Sequence, residues 1–159
     1  MNADPHVMAF FPAPLSREES DALAARIRQK LNENEFGLWA LEIPGVADFA
    51  GFVGLAVPTF EAHFTPCVEV GWRLARPYWG RGYATEAAAA VLDYAFNTLD
   101  LKEVVSFTAS QNLPSRAVMA RLGMQHDGDQ DFNHPSLPQG HVLQRHVLYR
   151  LPQLAWYAR

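Results

Sequence analysis

Apolar positions recur at helical spacing in some stretches and as short β-rich runs in others. Leu23, Ile27 and Leu31 lie on one face of a predicted helix over residues 17–33, which the capping box Ser16-Arg17-Glu18-Glu19 opens. Runs rich in β-forming residues, closed by turn signals, predict strands at 36–43, 49–57 and 66–74. Three consecutive strands joined by turns indicate an antiparallel meander. An irregular or helical piece ending at Pro12 precedes these elements.

The second half of the chain alternates helices and strands. Small and apolar residues repeat at helical spacing over 84–98, which predicts an Ala-rich helix packed closely on a sheet. The next strand, 104–109, follows this crossover helix and is therefore expected to be parallel to the strand at 66–74. A further helix begins near Asn112 and ends at Gly123. The pattern then predicts strands at 124–126 and 141–151, separated by a polar loop over 127–140.

A Gly-containing turn joins the strand ending at Leu74 to the Ala-rich helix. Its sequence is Arg76-Pro77-Tyr78-Trp79-Gly80-Arg81-Gly82-Tyr83-Ala84-Thr85-Glu86-Ala87. The first turn of a helix has N–H groups without intrahelical partners and carries the positive end of the helix dipole. Glycines at 80 and 82 let the backbone curl and come close to a ligand. The stretch therefore predicts a cradle for phosphate or pyrophosphate.

Three known motifs compete for this cradle. A P-loop requires Gly-x-x-x-x-Gly-Lys-Ser/Thr, and neither the spacing nor the Lys is present. A dinucleotide fingerprint requires a third Gly where Thr85 stands. The segment from Trp79 to Ala84 resembles the acyl-CoA pyrophosphate loop of the GNAT N-acetyltransferases, Gln/Arg-x-x-Gly-x-Gly/Ala, with Trp79 in place of the usual Gln or Arg. The wider run 78–87 is similar to the branch that includes ribosomal-protein N-terminal acetyltransferases.

This resemblance implies a single acetyltransferase domain over residues 1–159 with a mixed α/β (α+β) fold, a central sheet flanked by helices. The family has a V-shaped splay between its two central parallel strands, where the pantetheine arm of acetyl-CoA enters. Relatives usually carry a strand and a helix before the N-terminal piece that ends at Pro12, so this chain is expected to start late: either the first strand is missing or the sequence is incomplete. Gly71 is interpreted as the marker of a β-bulge at the splay, the alternative being that it only makes room for a neighbouring side chain.

The resemblance also assigns residues to the cofactor and to the chemistry. Backbone groups of Trp72 and Leu74 would pair with the pantetheine amides, and Asn112 would hydrogen-bond the same arm. The predicted cofactor-binding residues are Trp72, Arg73, Leu74, Trp79, Gly80, Arg81, Gly82, Tyr83, Ala84 and Asn112. Glu69 is the candidate general base, because alternation puts it on the face of Gly71 and an apolar setting raises the pKa of a carboxyl group. A solvated strand glutamate is the alternative.

A leaving thiolate needs a proton donor. Many relatives use a Tyr four residues before the Gly that ends this helix, but that position is Met119 here. Asn112 and Ser115 match the Asn-x-x-Ser of the branch, so Ser115 is the candidate acid; the alternative is that either residue caps the helix. Phe10, Phe11 and the loop at His134-Pro135 are candidates for the acceptor pocket, with core packing as their alternative.

The only cysteine, Cys67, is a candidate nucleophile for a covalent mechanism, but a lone Cys in a strand usually packs inertly. One cysteine also excludes an internal disulfide and fits a reducing cytosol. His126, His134, His141 and His146 match no standard metal-ligand spacing, so no metal is predicted.

The composition fits an enzyme of the cytoplasm. The 159 residues are 49% hydrophobic and 19% charged, with a net charge of −4 and no Lys/Arg run, which disfavours nucleic-acid partners. No apolar run reaches membrane-spanning length, and no signal peptide is recognised. We therefore expect an enzyme that transfers an acetyl group from acetyl-CoA directly to a primary amine, of a small molecule or a protein N-terminus. The alternative is a non-catalytic acyl-CoA-binding or sensing module; no feature indicates an oligomeric state.

Overall fold

The computed structural model describes all residues from 1 to 159, and a mixed sheet of seven strands runs through it. The strands are β1 Leu38–Ile43, β2 Ala47–Ala56, β3 Glu69–Leu74, β4 Glu103–Ala109, β5 Gln125–His126, β6 Phe132–Asn133 and β7 Arg145–Pro152. The helices are α1 Arg17–Glu33, α2 Tyr83–Asn97, α3 Leu113–Arg121 and α4 Gln153–Tyr157. None of these helices has the length and apolar character needed to cross a membrane.

The strand order is β1-β2-β3-β4-β7-β5, and β6 pairs with β7. Every neighbouring pair is antiparallel except β3 and β4, which are parallel and are connected through α2. The predicted meander and the predicted parallel pair are therefore both confirmed. β1 lies at one edge of the sheet.

Two apolar clusters cover the two faces of the sheet. On one face α2 buries Ala88, Val91, Leu92, Ala95 and Phe96, and they pack in a cluster that includes Val53 and Val70. The small residues of α2 allow this close approach. On the other face Phe64, Val105, Phe132 and Leu148 form a smaller cluster with Phe60, Cys67 and Phe107 at its margin. We call this second group the aromatic cluster.

Two local signals of the sequence lie where the structure begins one helix, α1, and ends another, α3. The capping box is formed: Ser16 Oγ accepts from the Glu19 N–H at 3.1 Å, and the Ser16 N–H donates to Glu19 Oε2 at 2.7 Å. Gly123 has a φ of 77° and follows the end of α3, as a helix C-terminus favours.

Three expectations are wrong. The register of β2 against β3 is uninterrupted from Gly51↔Leu74 to Ala56↔Glu69, so no bulge occurs at Gly71. The last strand begins at Arg145 and not at residue 141, because 141–144 form turns through hydrogen bonds such as Gln144 N–H to the His141 carbonyl. The loop over 127–140 contains the short strand β6, and α4 follows β7 without a preceding turn signal.

Candidate active site

A cavity of about 1130 Å³ opens between β3, β4, the turn before α2 and the start of α3. The N-terminal segment closes one side of it with residues that include Phe10 and Phe11. The loop after β6 closes another side with His134, Ser136 and Leu137. One cavity therefore brings together the predicted cradle, the predicted base and the predicted acid.

The parallel strands β3 and β4 meet at a single residue pair. Glu69 pairs with Val105, and the Val105 N–H donates to the Val68 carbonyl at 2.9 Å. No pairing continues from there to Leu74, so the two strands splay apart as the resemblance implied. The opening comes from this loss of pairing and not from a bulge.

The splay exposes the backbone of β3. The Ala75 N–H donates to the Ala50 carbonyl, so alternation along the antiparallel pair directs the peptide groups of Trp72 and Leu74 away from β2. They point toward β4 across the gap, where no strand pairs with them. Unpaired peptide groups of this kind can hydrogen-bond the amides of a ligand that enters the gap.

The turn before α2 presents a row of free backbone donors. None of the six N–H groups from Gly80 to Thr85 has a hydrogen-bond acceptor, and the first helical bond is from the Glu86 N–H to the Gly82 carbonyl. Gly80 and Gly82 have φ values of 70° and 85°, in the left-handed region, and space is open where a Cβ would lie at each. Free donors and the α2 dipole together form an anion cradle.

Trp79, which replaces the usual Gln or Arg of the motif, stabilises this turn. Its indole Nε1–H donates to the Leu74 carbonyl at 2.8 Å, joining the turn to the end of β3. The carbonyl of Leu74 is thereby occupied, and the N–H of Leu74 remains available to a ligand. Tyr83 and Ala84 line the cavity, whereas Arg81 contributes only its backbone because its side chain is exposed and lies outside the cavity lining.

Glu69 lies on the cavity side of β3 with no ion-pair partner. Its Oε1 is 3.9 Å from the point where a Cβ of Gly71 would be, so the carboxyl group extends over that glycine. A Cβ at Gly71 would make only an ordinary contact with this oxygen, so the packing around Glu69 does not require a glycine there either. Burial raises the pKa of Glu69 to about 8, close to the value that a general base needs near neutral pH.

The start of α3 separates the roles of Asn112 and Ser115. Asn112 caps the helix: its Oδ1 accepts from the Ser115 N–H at 3.3 Å, and its Nδ2 donates to Thr108 Oγ1 at 2.8 Å. The Ser115 hydroxyl has no hydrogen bond within the protein and lines the cavity. Met119, one turn later, also lines the cavity and carries no proton to donate.

His134 and His146, which match no metal-ligand spacing, line the same cavity, and His134 belongs to the loop that was predicted to approach the acceptor pocket. The rings of His134 and His146 are 4.9 Å apart, beside Phe107 and Phe132. Burial lowers the pKa of both, which favours the neutral form of each imidazole. The His134 Nδ1 accepts from the Ser136 N–H, and the His146 Nδ1 lies 3.2 Å from the Gln144 carbonyl, to which it donates. His134 therefore presents an Nε2–H and His146 an Nε2 lone pair.

Cys67 packs at the margin of the aromatic cluster. Burial and the charge of Glu69 raise the pKa of its thiol to about 11, so the nucleophilic thiolate is scarce at neutral pH. No group of three or more His, Cys, Asp or Glu residues has the arrangement of a metal site.

The chain is similar to known acetyltransferases along nearly its whole length. The acetyltransferase (GNAT) domain family matches residues 1–125. The FsC-acetyl coenzyme A-N(2)-transacetylase of Aspergillus fumigatus is 32% identical over 163 residues, which cover 98% of this chain and 68% of that protein.

Two solved structures share the fold. An acetyltransferase of the GNAT family from Bacillus anthracis superposes with a TM-score of 0.75 at 22% identity, covering 96% of this chain and 85% of that one. The ribosomal-protein-S5-alanine acetyltransferase from Vibrio fischeri superposes with a TM-score of 0.72 at 18% identity, covering 97% and 84%. The geometry of the cradle and the splay and the similarity to these proteins indicate the same family. The chain belongs to the GNAT acetyltransferase family and is an acetyl-CoA-dependent acyltransferase.

Proposed function

We propose that the protein transfers the acetyl group of acetyl-CoA directly to a primary amine that enters from the side of the N-terminal segment. The observation that carries this proposal is that one cavity holds both the free N–H groups of the cradle and the carboxyl group of Glu69. The name of the Aspergillus relative, an N(2)-transacetylase, describes transfer to nitrogen in that protein. The same chemistry suits a cavity that offers a base but no activated thiol.

The cradle and the splay fit acetyl-CoA. The N–H groups from Gly80 to Thr85 would hold the pyrophosphate, and the peptide groups of Trp72 and Leu74 would bind the pantetheine arm. Asn112 would contribute by holding the start of α3, since its side chain already makes two hydrogen bonds within the protein. Acetyl-CoA supplies the activated acetyl group; the residues below supply the proton transfers.

Glu69 would act on the attacking amine, and Ser115 would act on the departing sulfur. The amine nitrogen forms a bond to the acetyl carbon and the carbon–sulfur bond breaks, while Glu69 takes the proton that the nitrogen loses. The Ser115 hydroxyl would donate a hydrogen bond to the departing sulfur, since Met119 has no proton to offer. Each group faces the cavity without a competing side-chain partner, which leaves it available for these steps.

A panel of amines tests the proposal. Purified protein is mixed with acetyl-CoA and, separately, with alkyl amines, amino acids and peptides with a free N-terminus. Release of CoA thiol and a gain of one acetyl group in the product, detected by mass spectrometry, are expected for a subset of these amines. Tight CoA binding with no acetylated amine in any mixture would favour the non-catalytic module.

We place this reaction in the reducing cytosol, in keeping with the single free Cys67.

A further inference from the structure

Arg73 is a partly buried cation with no anionic partner in the protein. Its Nη1 donates to Asn2 Oδ1 at 3.0 Å, a neutral acceptor, and its Nε is fully enclosed without any acceptor. It takes part in no ion pair. Burial lowers its pKa to about 10, so the guanidinium still carries its charge at neutral pH. A buried charge without a partner is costly, and such a group is a candidate for ligand binding.

The position of the guanidinium separates it from the cofactor side. Its Cζ lies 4.0 Å from the ring centroid of Phe11 and 5.3 Å from that of Phe52. Phe52 belongs to β2, so the side chain leans away from the splay between β3 and β4. Arg73 nevertheless lines the cavity, and its Nη2 has neither a protein partner nor complete enclosure. Donors are therefore available to a ligand that lies against the N-terminal segment.

We propose that Arg73 binds a carboxylate of the acceptor, which makes the acceptor an amine with a carboxylate several atoms away. This inference rests on the proposed function, because it places the reacting amine beside Glu69 in the space above Gly71. Alternation puts Glu69, Gly71 and Arg73 on one face of β3, and the four residues from Glu69 to Arg73 span about 13 Å along the strand. A planar guanidinium pairs with a carboxylate through two parallel hydrogen bonds.

In this proposal Arg73 binds the acceptor, whereas the sequence resemblance assigned it to the cofactor. An acceptor chain that bridges Glu69 and Arg73 explains why a charge is held at this wall without an internal counter-ion. It also predicts that the length of the acceptor matters, since the spacing along the strand is set. Short α-amino acids would reach only one of the two groups, and longer ω-amino acids would reach both.

Binding measurements test the inference without any need for turnover. Protein saturated with CoA is titrated in a calorimeter with ω-amino carboxylates of increasing chain length and with the n-alkylamine of matching length. The carboxylate is expected to improve affinity about ten- to a hundredfold at the best length, the usual effect of a hydrogen bond to a charged group. Equal affinities across every matched pair in the wild-type protein would overturn the proposal, and this comparison needs no variant.

Variants then assign the effect to one side chain. Arg73→Gln is expected to remove the preference for the carboxylate, and Arg73→Lys is expected to keep part of it. Asn2→Ala removes the neutral acceptor of Arg73 and the Asn2–Ser20 hydrogen bond but leaves the guanidinium in place, so it is expected to keep the preference. A preference that persists in folded Arg73→Gln, or a loss of CoA affinity in its place, would also overturn the proposal. Adding acetyl-CoA separates the two ideas: a carboxylate preference without any acetylated product contradicts the proposed function and leaves the Arg73 site standing.

Discussion

At the scale of single residues, the chemistry depends on where burial has moved the proton affinity of a side chain. Glu69 has its pKa raised to about 8, and Cys67, two residues before it in the chain, has its pKa raised to about 11. The same cause makes the carboxyl group a better base and the thiol a poorer nucleophile near pH 7. Direct transfer assisted by Glu69 is therefore favoured over an acetyl-cysteine route.

Substituting Glu69 tests the base. Glu69→Gln keeps the shape of the side chain and removes its basicity, so activity is expected to fall about 10²–10⁴-fold with CoA affinity unchanged. In the wild-type enzyme kcat/KM should rise with pH to a plateau above the pKa of about 8, because the free carboxylate is the active form. Initial rates between pH 6 and 10 give both results. Glu42→Gln, on the exposed side of β1, is the matched control. Wild-type kcat and an unchanged pH profile in Glu69→Gln would mean that the base is another group.

Substituting Ser115 by alanine is expected to lower the rate, whereas substituting Asn112 by alanine is expected to lower the stability. Ser115→Ala should lower kcat about ten- to a hundredfold, because it removes a hydrogen bond to a charged group worth about 1.5–3 kcal/mol. It should leave the melting temperature unchanged, since the hydroxyl makes no bond within the protein. Asn112→Ala removes a helix cap and should cost about 1 kcal/mol of stability. Unchanged kcat in Ser115→Ala would exclude its hydroxyl as the donor to sulfur.

At the scale of elements, β3, the turn after it and α2 act together. The strand ends with two peptide groups that face a gap, and the helix begins with donors that face the same cavity. Trp79 joins the two through its bond to the Leu74 carbonyl. The proposed cofactor site is therefore formed mainly by backbone groups, so we expect it to tolerate side-chain changes such as Trp79 for Gln or Arg and to depend on Gly82.

A valine at Gly82 is expected to abolish CoA binding. It adds a side chain to the open space of the cradle and forces an L-residue into a φ of 85°, at a strain of about 1–2 kcal/mol. Gly140→Val is the matched control: its φ is 82° and its surroundings are open, but Gly140 lies outside the cavity lining. Both variants should lose similar stability in thermal melts, and only Gly82→Val should lose CoA binding in calorimetry. Wild-type CoA affinity in folded Gly82→Val would overturn the cradle assignment.

At the scale of the whole molecule, the proposed base Glu69 is a cost to the fold. The folded-state pKa of Glu69, about 8, lies above its ordinary value of 4.5, so the folded protein holds a proton that the unfolded chain releases. Its contribution is fully present below about pH 4.5 and is lost as the pH rises through 8. No ion pair offsets this loss, which supports the proposal that the carboxyl group serves the reaction.

Thermal unfolding measures this cost. The difference in melting temperature between Glu69→Gln and the wild type should grow in favour of the variant between pH 5 and pH 8, because glutamine has no proton to lose. The lowered pKa values of His134 and His146 act in the opposite direction, but they are common to both proteins and cancel in the difference. A difference that does not change with pH would show that Glu69 titrates normally.

Much of the fold could be predicted because its signals are local. The capping box, the small residues of α2 and the β-rich runs each act within one element, and the structure has α1, α2 and the meander where these signals placed them. The ends of β7, the existence of α4 and the regular register at Gly71 were missed. The ends of β7 and the register depend on which residues meet across the sheet, and α4 packs against α2, where the Trp156 Nε1–H donates to Asp93 Oδ1 at 2.8 Å. No local pattern contains that information.

The sequence by itself determined the cradle and the face on which Glu69 lies, because a turn of two glycines and the alternation of a strand are set by neighbouring residues. Only the tertiary structure decided what surrounds them. It brought His146 beside His134, left the Ser115 hydroxyl free and held Arg73 between Phe11 and Phe52 without a counter-ion. The physical reason is that burial, proton affinity and the lack of a partner arise from contacts between residues distant in the chain.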